Sequence, residues 1–318
     1  MSLRKILITG GAGFVGARIA HRFLHEGWQV GILDDFNDFY DPSIKESNVA
    51  NLGNDVELFR TDIRDAGGVE RAMSAGWDTI VHLAARAGVR PSIADPRLYI
   101  ETNVTGTFNV LEAARKAGVG RFLFASSSSV YGAEAQVPFC ESAALTRTLS
   151  PYAATKIAGE QLASTYAHLH GMRVVVLRFF TVYGPGQRPD LAIHKFTRAL
   201  FEGLPIDQYG EGQTRRDYTY VDDIVQGVYA AAGYEGPAYD VFNLGGSQTV
   251  SLQELIEKLE ATTGRKAIIQ RWPEQPGDMP ATWADISKAH KLLGYSPDTA
   301  LDEGLAKFVD WYRSSQAS

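Results

Sequence analysis

A doubly wound parallel α/β sheet with a smaller mixed α/β C-terminal lobe is the fold this sequence predicts, and three observations carry it. Apolar runs rich in β-branched residues recur through the first half, amphipathic segments of helical period lie between most of them, and the alternation lapses after Phe180. Such alternation builds parallel strands whose connecting helices cover both faces of the sheet. Ligands of sheets of this kind sit at the carboxyl ends of the strands.

The spacing predicts strands over residues 6–9, 29–34, 56–60, 79–83, 122–126 and 173–179, with helices over 16–26, 97–117 and 151–170. In the second half, residues 191–202 and 252–263 read as helices and short strands are expected near 218–221 and 239–243. The stretches "TVYGPGQRPD" and "RWPEQPGDMP" read as loops. The division is expected as a nucleotide-binding domain over 1–180 and a substrate lobe over 181–318, with part of 222–245 free to return to the large sheet.

With 318 residues, 45% hydrophobic and 21% charged, the chain can bury a sizeable core. The formal net charge of −6 comes with no basic stretch interleaved with aromatics, which argues against nucleic acid as a partner. Near the N-terminus the only apolar stretch is Ile6 to Ile8, short of a signal h-region or a membrane span, so a cytoplasmic protein without membrane contact is expected. Cys140 is the only cysteine, which excludes an internal disulfide and a cysteine-based zinc cluster and fits a reducing compartment. The pairs His21/His25 and His168/His170 have no acidic companion ligand, so they read as helix surface and no metal is expected.

The first chemical motif is "ITGGAGFVG", at the end of the first predicted strand. Gly10 permits the tight turn, Gly13 lets the backbone approach a pyrophosphate, and Gly16 permits close helix packing, with helix N–H groups facing the anion. The next strand ends in Asp34, where a carboxylate can hydrogen-bond the adenosine ribose and repel a 2′-phosphate. Together these predict a Rossmann-type site that takes NAD rather than NADP. Asp62 follows the third strand, where it can meet the adenine amino group, and Ala84 and Ala85 follow the fourth, where small side chains let backbone approach the cofactor. Phe14, Val15, Ile63, Leu83 and Phe179 are expected to complete the lining. His82, between these, reads as a satisfied core residue rather than a catalyst.

The second motif is "SPYAATK". Ser150 is a good N-cap and Pro151 a good first helical residue, so Tyr152 and Lys156 fall one turn apart on one helix face. A lysine ammonium and the positive nicotinamide ring both favour the phenolate, which is expected to lower the tyrosine pKa and make Tyr152 a general base. In isolation this spacing is more often a solvated surface pair. Behind a nucleotide-binding half the catalytic reading is the stronger.

"TGGAGFVG", "YAATK" and the serine before "VYG" together resemble the extended short-chain dehydrogenase/reductases, specifically the nucleotide-sugar epimerases and dehydratases. The resemblance implies that Ser127, four residues before the tyrosine of "VYG", holds the sugar C4 hydroxyl beside Tyr152. Related dehydratases carry Asp-Glu at the next two positions and UDP-glucuronate decarboxylases carry Glu before "VYG"; here Ser128 and Ser129 stand there, which favours epimerisation without elimination. The stretches "DDFNDFYDPSIKESN", "AGVRPSI", "LRFFTVYGPGQRPD", "RRDYTYVDDI" and "QPGDMPATWAD" most resemble the UDP-glucuronate 4-epimerases.

That resemblance implies a UDP-sugar substrate, UDP-glucuronate converted to UDP-galacturonate, with NAD retained between turnovers. It implies that Arg216 pairs with the UDP pyrophosphate and that Asp278 accepts from the uridine ribose. Arg90, Ser128 and Ser129 are also expected at the substrate, with Ser129, Thr181 and Arg188 candidates for its carboxylate. Where those epimerases usually read "AAQAGVR" this chain reads "AARAGVR", so Arg86 brings a second cation near Arg90. The alternatives are a 4-epimerase for UDP-glucose or UDP-N-acetylglucosamine, a UDP-glucuronate decarboxylase, and a non-catalytic NAD-binding regulator. Gln275 and Thr181 stand where glucose-type epimerases have Arg and Asn, which argues against UDP-glucose. Relatives commonly dimerise through the helices corresponding to residues 97–117 and 151–170, so a homodimer is expected.

Overall fold

A computed structural model describes residues 4–273 and 279–316. In chain order the strands are β1 (Lys5–Thr9), β2 (Gln29–Asp34), β3 (Val56–Arg60), β4 (Thr79–His82), β5 (Arg121–Ser127), β6 (Arg173–Phe179), β7 (Thr181–Tyr183), β8 (Pro205–Tyr209), β9 (Arg215–Arg216), β10 (Tyr218–Tyr220), β11 (Tyr239–Leu244), β12 (Val250–Ser251) and β13 (Ile268–Trp272). Seven of them form one all-parallel sheet in the order β11-β6-β5-β4-β1-β2-β3.

Both faces of the sheet are covered at its inner strands, which is why these are mainly apolar, whereas the edge strand β3 carries exposed Glu57 and Arg60. Within β1, Ile6 and Ile8 face one core with Ile19, Phe23 and Ile32, whereas Leu7 faces the other with Leu33, Trp77 and Ile80. All three β1 side chains are fully buried. Truncating Leu7 to Ala at such a site costs about 2–5 kcal/mol.

The large sheet is completed by β11, which pairs with β6 from Tyr239↔Val174 to Leu244↔Phe179. Helix Val221–Ala232, which precedes it, joins the core that contains Ile6 and Ile8. The remaining C-terminal elements form small two-stranded sheets, β7 with β10, β9 with β12 and β8 with β13. Helices Ala192–Glu202, Leu252–Thr263 and Leu301–Gln316 close a third core around Leu255, Leu259, Phe308 and Tyr312.

Three expectations are corrected here. Thr181, Val182 and Tyr183, expected in a loop, form β7 because they pair in parallel with β10. Arg271 and Trp272, expected in a loop, end β13 because that segment pairs in parallel with β8. The single helix expected over 97–117 is broken into Pro96–Ile100, a wide π turn at Glu101–Gly106 and Thr107–Lys116. Inside that turn buried Asn103 donates to the oxygen of Arg86 at 2.9 Å and to Oγ1 of Thr155 at 3.0 Å, and accepts from the Arg86 nitrogen at 2.7 Å. Gly106 packs against Ile63, whose side chain lies 2.6 Å from where a Cβ would stand. Single π turns within helices are frequent at functional sites.

Candidate active site

At the carboxyl ends of β1, β2, β4, β5 and β6 lies one cavity of about 360 Å³. Its floor is the turn from β1 into helix Phe14–His25. Gly10 has a φ of 71°, and a Cβ there would stand 2.8 Å from the Ala84 nitrogen. A Cβ on Gly16 would meet the Gly10 oxygen at 2.3 Å, so the helix packs on the turn only with glycine at both places. Gly13 is the N-cap without a side-chain acceptor, and the first turn carries no acidic residue, which leaves the helix N–H groups to an anion.

Asp34 ends β2 and is only 4% exposed. Its carboxylate accepts from the Ala12 nitrogen at 3.2 Å, the Phe36 nitrogen at 3.0 Å and Lys45 Nζ at 2.9 Å. Lys45 comes from helix Pro42–Ala50, is equally buried, and also lies 3.7 Å from Asp35. Asp62 lines the same end, but its oxygens receive the Arg64 nitrogen at 2.8 Å and Arg64 Nη2 at 2.6 Å. Burial pushes its carboxyl up, and the Arg64 bonds outweigh this and hold it below the usual range.

At the other end, helix Pro151–His170 starts where its cap signals predict, with the Ser150 hydroxyl accepting from Ala153 N at 3.2 Å. Tyr152 and Lys156 both face the cavity with Ser127. The Tyr99 ring meets Tyr152 edge-on at 6.3 Å between centroids, and Tyr99 is itself fixed by a 2.8 Å bond to the Ala87 oxygen. Lys156 donates to the Ala125 oxygen at 2.7 Å, with Nζ 5.9 Å from the Tyr152 ring centroid. Burial lowers its pKa to about 8, an effect that Glu160 opposes. The expected lowering of the Tyr152 pKa does not occur in the protein alone. Burial raises it above 10, while Ser127 and Arg188, rather than Lys156, pull it down.

Thus Gly10, Gly13, Phe14, Val15, Gly16, Asp34, Asp62, Ile63, Leu83, Ala84, Ala85, Ser127, Tyr152, Lys156, Phe179, Thr181 and Arg188 line one cavity. Among the described residues, Ser128, Ser129, Arg90 and Arg216 do not share that lining. Ser128 and Ser129 occupy the turn after β5, where Ser127 donates to the Ser129 hydroxyl at 3.1 Å. Arg90 lies over the Tyr209 ring at 4.5 Å, and Arg216 donates to the oxygens of Arg215 and Met279. Asp278 and Gln275 lie outside the described residues. Arg188, expected to be available for a substrate carboxylate, already forms a two-pronged pair with Asp190 at 2.9 and 2.7 Å. His82 is satisfied on both ring nitrogens, by Thr9 at 2.7 Å and Thr107 at 2.9 Å, and burial pushes its pKa down to about 3. Lys45, Asn37 and Tyr40 also line the cavity and were not singled out from the sequence; Asp41 and Pro42 signal the helix that carries Lys45, but not the residue it meets. Among the described residues no group of three or more His, Cys, Asp or Glu could hold a metal ion.

A sequence profile of the NAD dependent epimerase/dehydratase family matches residues 6–245. The chain belongs to that family. A UDP-glucuronate 4-epimerase of Thermodesulfobacterium geofontis is 40% identical over 313 residues, covering 97% of this chain and 96% of that protein. The Bacillus cereus UDP-glucuronic acid 4-epimerase, crystallised with UDP-glucuronic acid and NAD, superposes with a TM-score of 0.93 at 35% identity, covering 98% of this chain and 99% of that one. The Thermus thermophilus UDP-glucose 4-epimerase complex with NAD superposes at 0.90 with 32% identity and the same coverage. NAD, the cofactor of this epimerase/dehydratase family, fits the residues present: the glycine cradle a Cβ would fill, the uncapped helix start and the carboxylate ending β2.

Proposed function

We propose that this chain catalyses NAD-dependent C4 epimerisation of a UDP-sugar, with UDP-glucuronate and UDP-galacturonate as the pair it interconverts. The observation that carries the reading is the convergence of Ser127, Tyr152 and Lys156 on the cavity that holds the glycine turn, with no carboxylic acid at positions 128 and 129. The similarity to UDP-glucuronate 4-epimerases over nearly the whole chain supports the choice of sugar.

NAD, when bound, accepts the C4 hydride and returns it, so the reaction has no net redox change. Tyr152 takes the C4 hydroxyl proton as the hydride leaves and gives it back on return. Burial makes its phenolate costly in the protein alone, so the base depends on positive charge brought close to the ring. Arg188 and Lys156 are cations on the same cavity, of which Arg188 already favours the phenolate, and Ser127 orients the C4 oxygen. Ser128 and Ser129 stand where related enzymes carry the acids that move a proton at C5 or C6, so these two positions do not supply that agent of elimination or decarboxylation.

The same reading includes a cytoplasmic homodimer. Ile93, Ile100, Phe108 and Leu169 are exposed apolar side chains on the helices spanning 89–116 and on Pro151–His170, and they support pairing through that face. A monomeric mass in light scattering at micromolar concentration would remove the dimer from the reading. NMR of UDP-glucuronate incubated with the protein tests the activity: the galacturonate epimer is expected, a pentose product would indicate decarboxylation, and unchanged substrate with well-folded, NAD-loaded protein would overturn the assignment.

A further inference from the structure

Arg86 stands one residue past the small pair Ala84–Ala85, in a position the known chemistry leaves unassigned. Its main chain is held at both polar groups by Asn103, through bonds of 2.7 and 2.9 Å, and Asn103 is in turn bonded to Thr155 of the helix that carries Tyr152. Its side chain lines the cavity, and Nη1 donates to Oδ1 of Asn37 at 3.1 Å. Asn37 belongs to the loop after β2, whereas Arg86 is rooted in the segment after β4. Because β4, β1 and β2 are consecutive neighbours in the sheet, a side chain joining those loops crosses the end of β1. There Gly10 and Gly13 turn into the helix, with the Ala84 backbone packed against Gly10.

The charge on this strap is not used up locally. The Asn37 amide is neutral and is itself fixed, accepting from the Phe39 nitrogen and donating to Asp35. Asp62 lies near enough to feel Arg86 but is bonded to Arg64. A guanidinium with further N–H groups, poised over a turn whose helix start lacks any acidic residue, matches a diphosphate in shape and sign.

We propose that Arg86 clamps the pyrophosphate of the dinucleotide and slows its release, closing over the cofactor from the side opposite the glycine turn. The proposal rests on the dinucleotide site alone and holds whichever sugar is turned over. An enzyme that takes a hydride and returns it to the same substrate gains directly from such a clamp, because a cofactor lost in mid-cycle strands the keto intermediate.

The test is made without sugar. Wild type, Arg86→Gln and Arg86→Lys are purified, their bound NAD is assayed, and NAD dissociation is timed by rapid dilution. Arg86→Gln introduces the residue usual in the related epimerases, and Arg86→Lys keeps the charge but loses the planar fork. Dissociation is expected to be about tenfold or more faster in Arg86→Gln, and faster by a smaller factor in Arg86→Lys. The melting temperature of the cofactor-free protein should stay unchanged while the rise produced by NAD shrinks. Equal NAD content and equal dissociation rates in all three proteins would overturn the clamp. So would unchanged NAD release accompanied by a raised KM for the sugar, which would assign Arg86 to the substrate.

Discussion

Lys156 spends its ammonium on the main-chain oxygen of Ala125, 2.7 Å away, in a site where it is 5% exposed. The fold holds its pKa near 8 against an ordinary 10.5, so the cation is disfavoured by burial. Between those two values the unfolded chain binds a proton that the folded chain does not, and stability from this group rises with pH across that window. In full the cost below pH 8 is about 3 kcal/mol. Lys156→Met should therefore raise the melting temperature of the cofactor-free protein by a few degrees at pH 7, with the gain shrinking toward pH 10, while abolishing turnover. A lower melting temperature at pH 7 would contradict a buried-cation cost.

Tyr152→Phe removes only the titrating oxygen and leaves the ring against Tyr99. Turnover of the UDP-sugar should fall by about 10³-fold or more with NAD content unchanged, and Ser127→Ala should fall by about 10–100-fold. Single-turnover formation of reduced NAD, followed by absorbance, separates the two roles. Wild-type rates in Tyr152→Phe would remove the base assignment.

Cofactor choice is expected to follow from Asp34, whose carboxylate faces the cavity even though Lys45 pairs with it at 2.9 Å. NADP should bind at least about tenfold more weakly than NAD, because its 2′-phosphate must displace or oppose a buried carboxylate. Lys45→Met, which leaves Asp34 buried without its cation, should destabilise the protein by about 3–5 kcal/mol. Calorimetry giving equal affinities for the two dinucleotides would sink the first expectation, and a chemical melt with an unchanged midpoint the second.

Thr181 lines the cavity beside Phe179 and Phe180, whereas Ser129 is turned to Ser127 and Arg188 to Asp190. Of the three groups considered for a substrate carboxylate, Thr181 is thus the hydroxyl that faces the cavity. A 4-keto uronate loses CO2 when its carboxyl bond aligns with the carbonyl π system, so Thr181→Ala should weaken UDP-glucuronate selectively and raise the share of pentose product. Chromatography showing unchanged selectivity and no pentose would count against that role.

Much of this was legible in the chain because the signals are local. Strands β2, β3 and β6 span the expected residues 29–34, 56–60 and 173–179, since β-branched and apolar residues cluster there between turn signals. Ser150 and Pro151 set the start of the helix that carries Tyr152 through a cap bond and a fixed φ, both of which depend on adjacent residues alone. The glycine spacing likewise determines a turn that only glycine can make.

What only the tertiary structure decided is which side chains the sheet order brings together. The pairing of Lys45 with Asp34, the capture of Arg188 by Asp190, and the reach of Arg86 across β1 to Asn37 have no periodicity to announce them. The π turn at Glu101–Gly106 replaces a regular helix because Asn103 is drawn inward to bond Arg86 and Thr155, an energy that helix propensity does not contain. Lys156 faces the cavity as its spacing from Tyr152 requires, yet its proton goes to Ala125, because the end of β5 presents a carbonyl oxygen at hydrogen-bond distance inside a dry site. Sequence patterns specify caps, turns and faces; long-range hydrogen bonds and the desolvation of charge arise only when distant loops share one cavity.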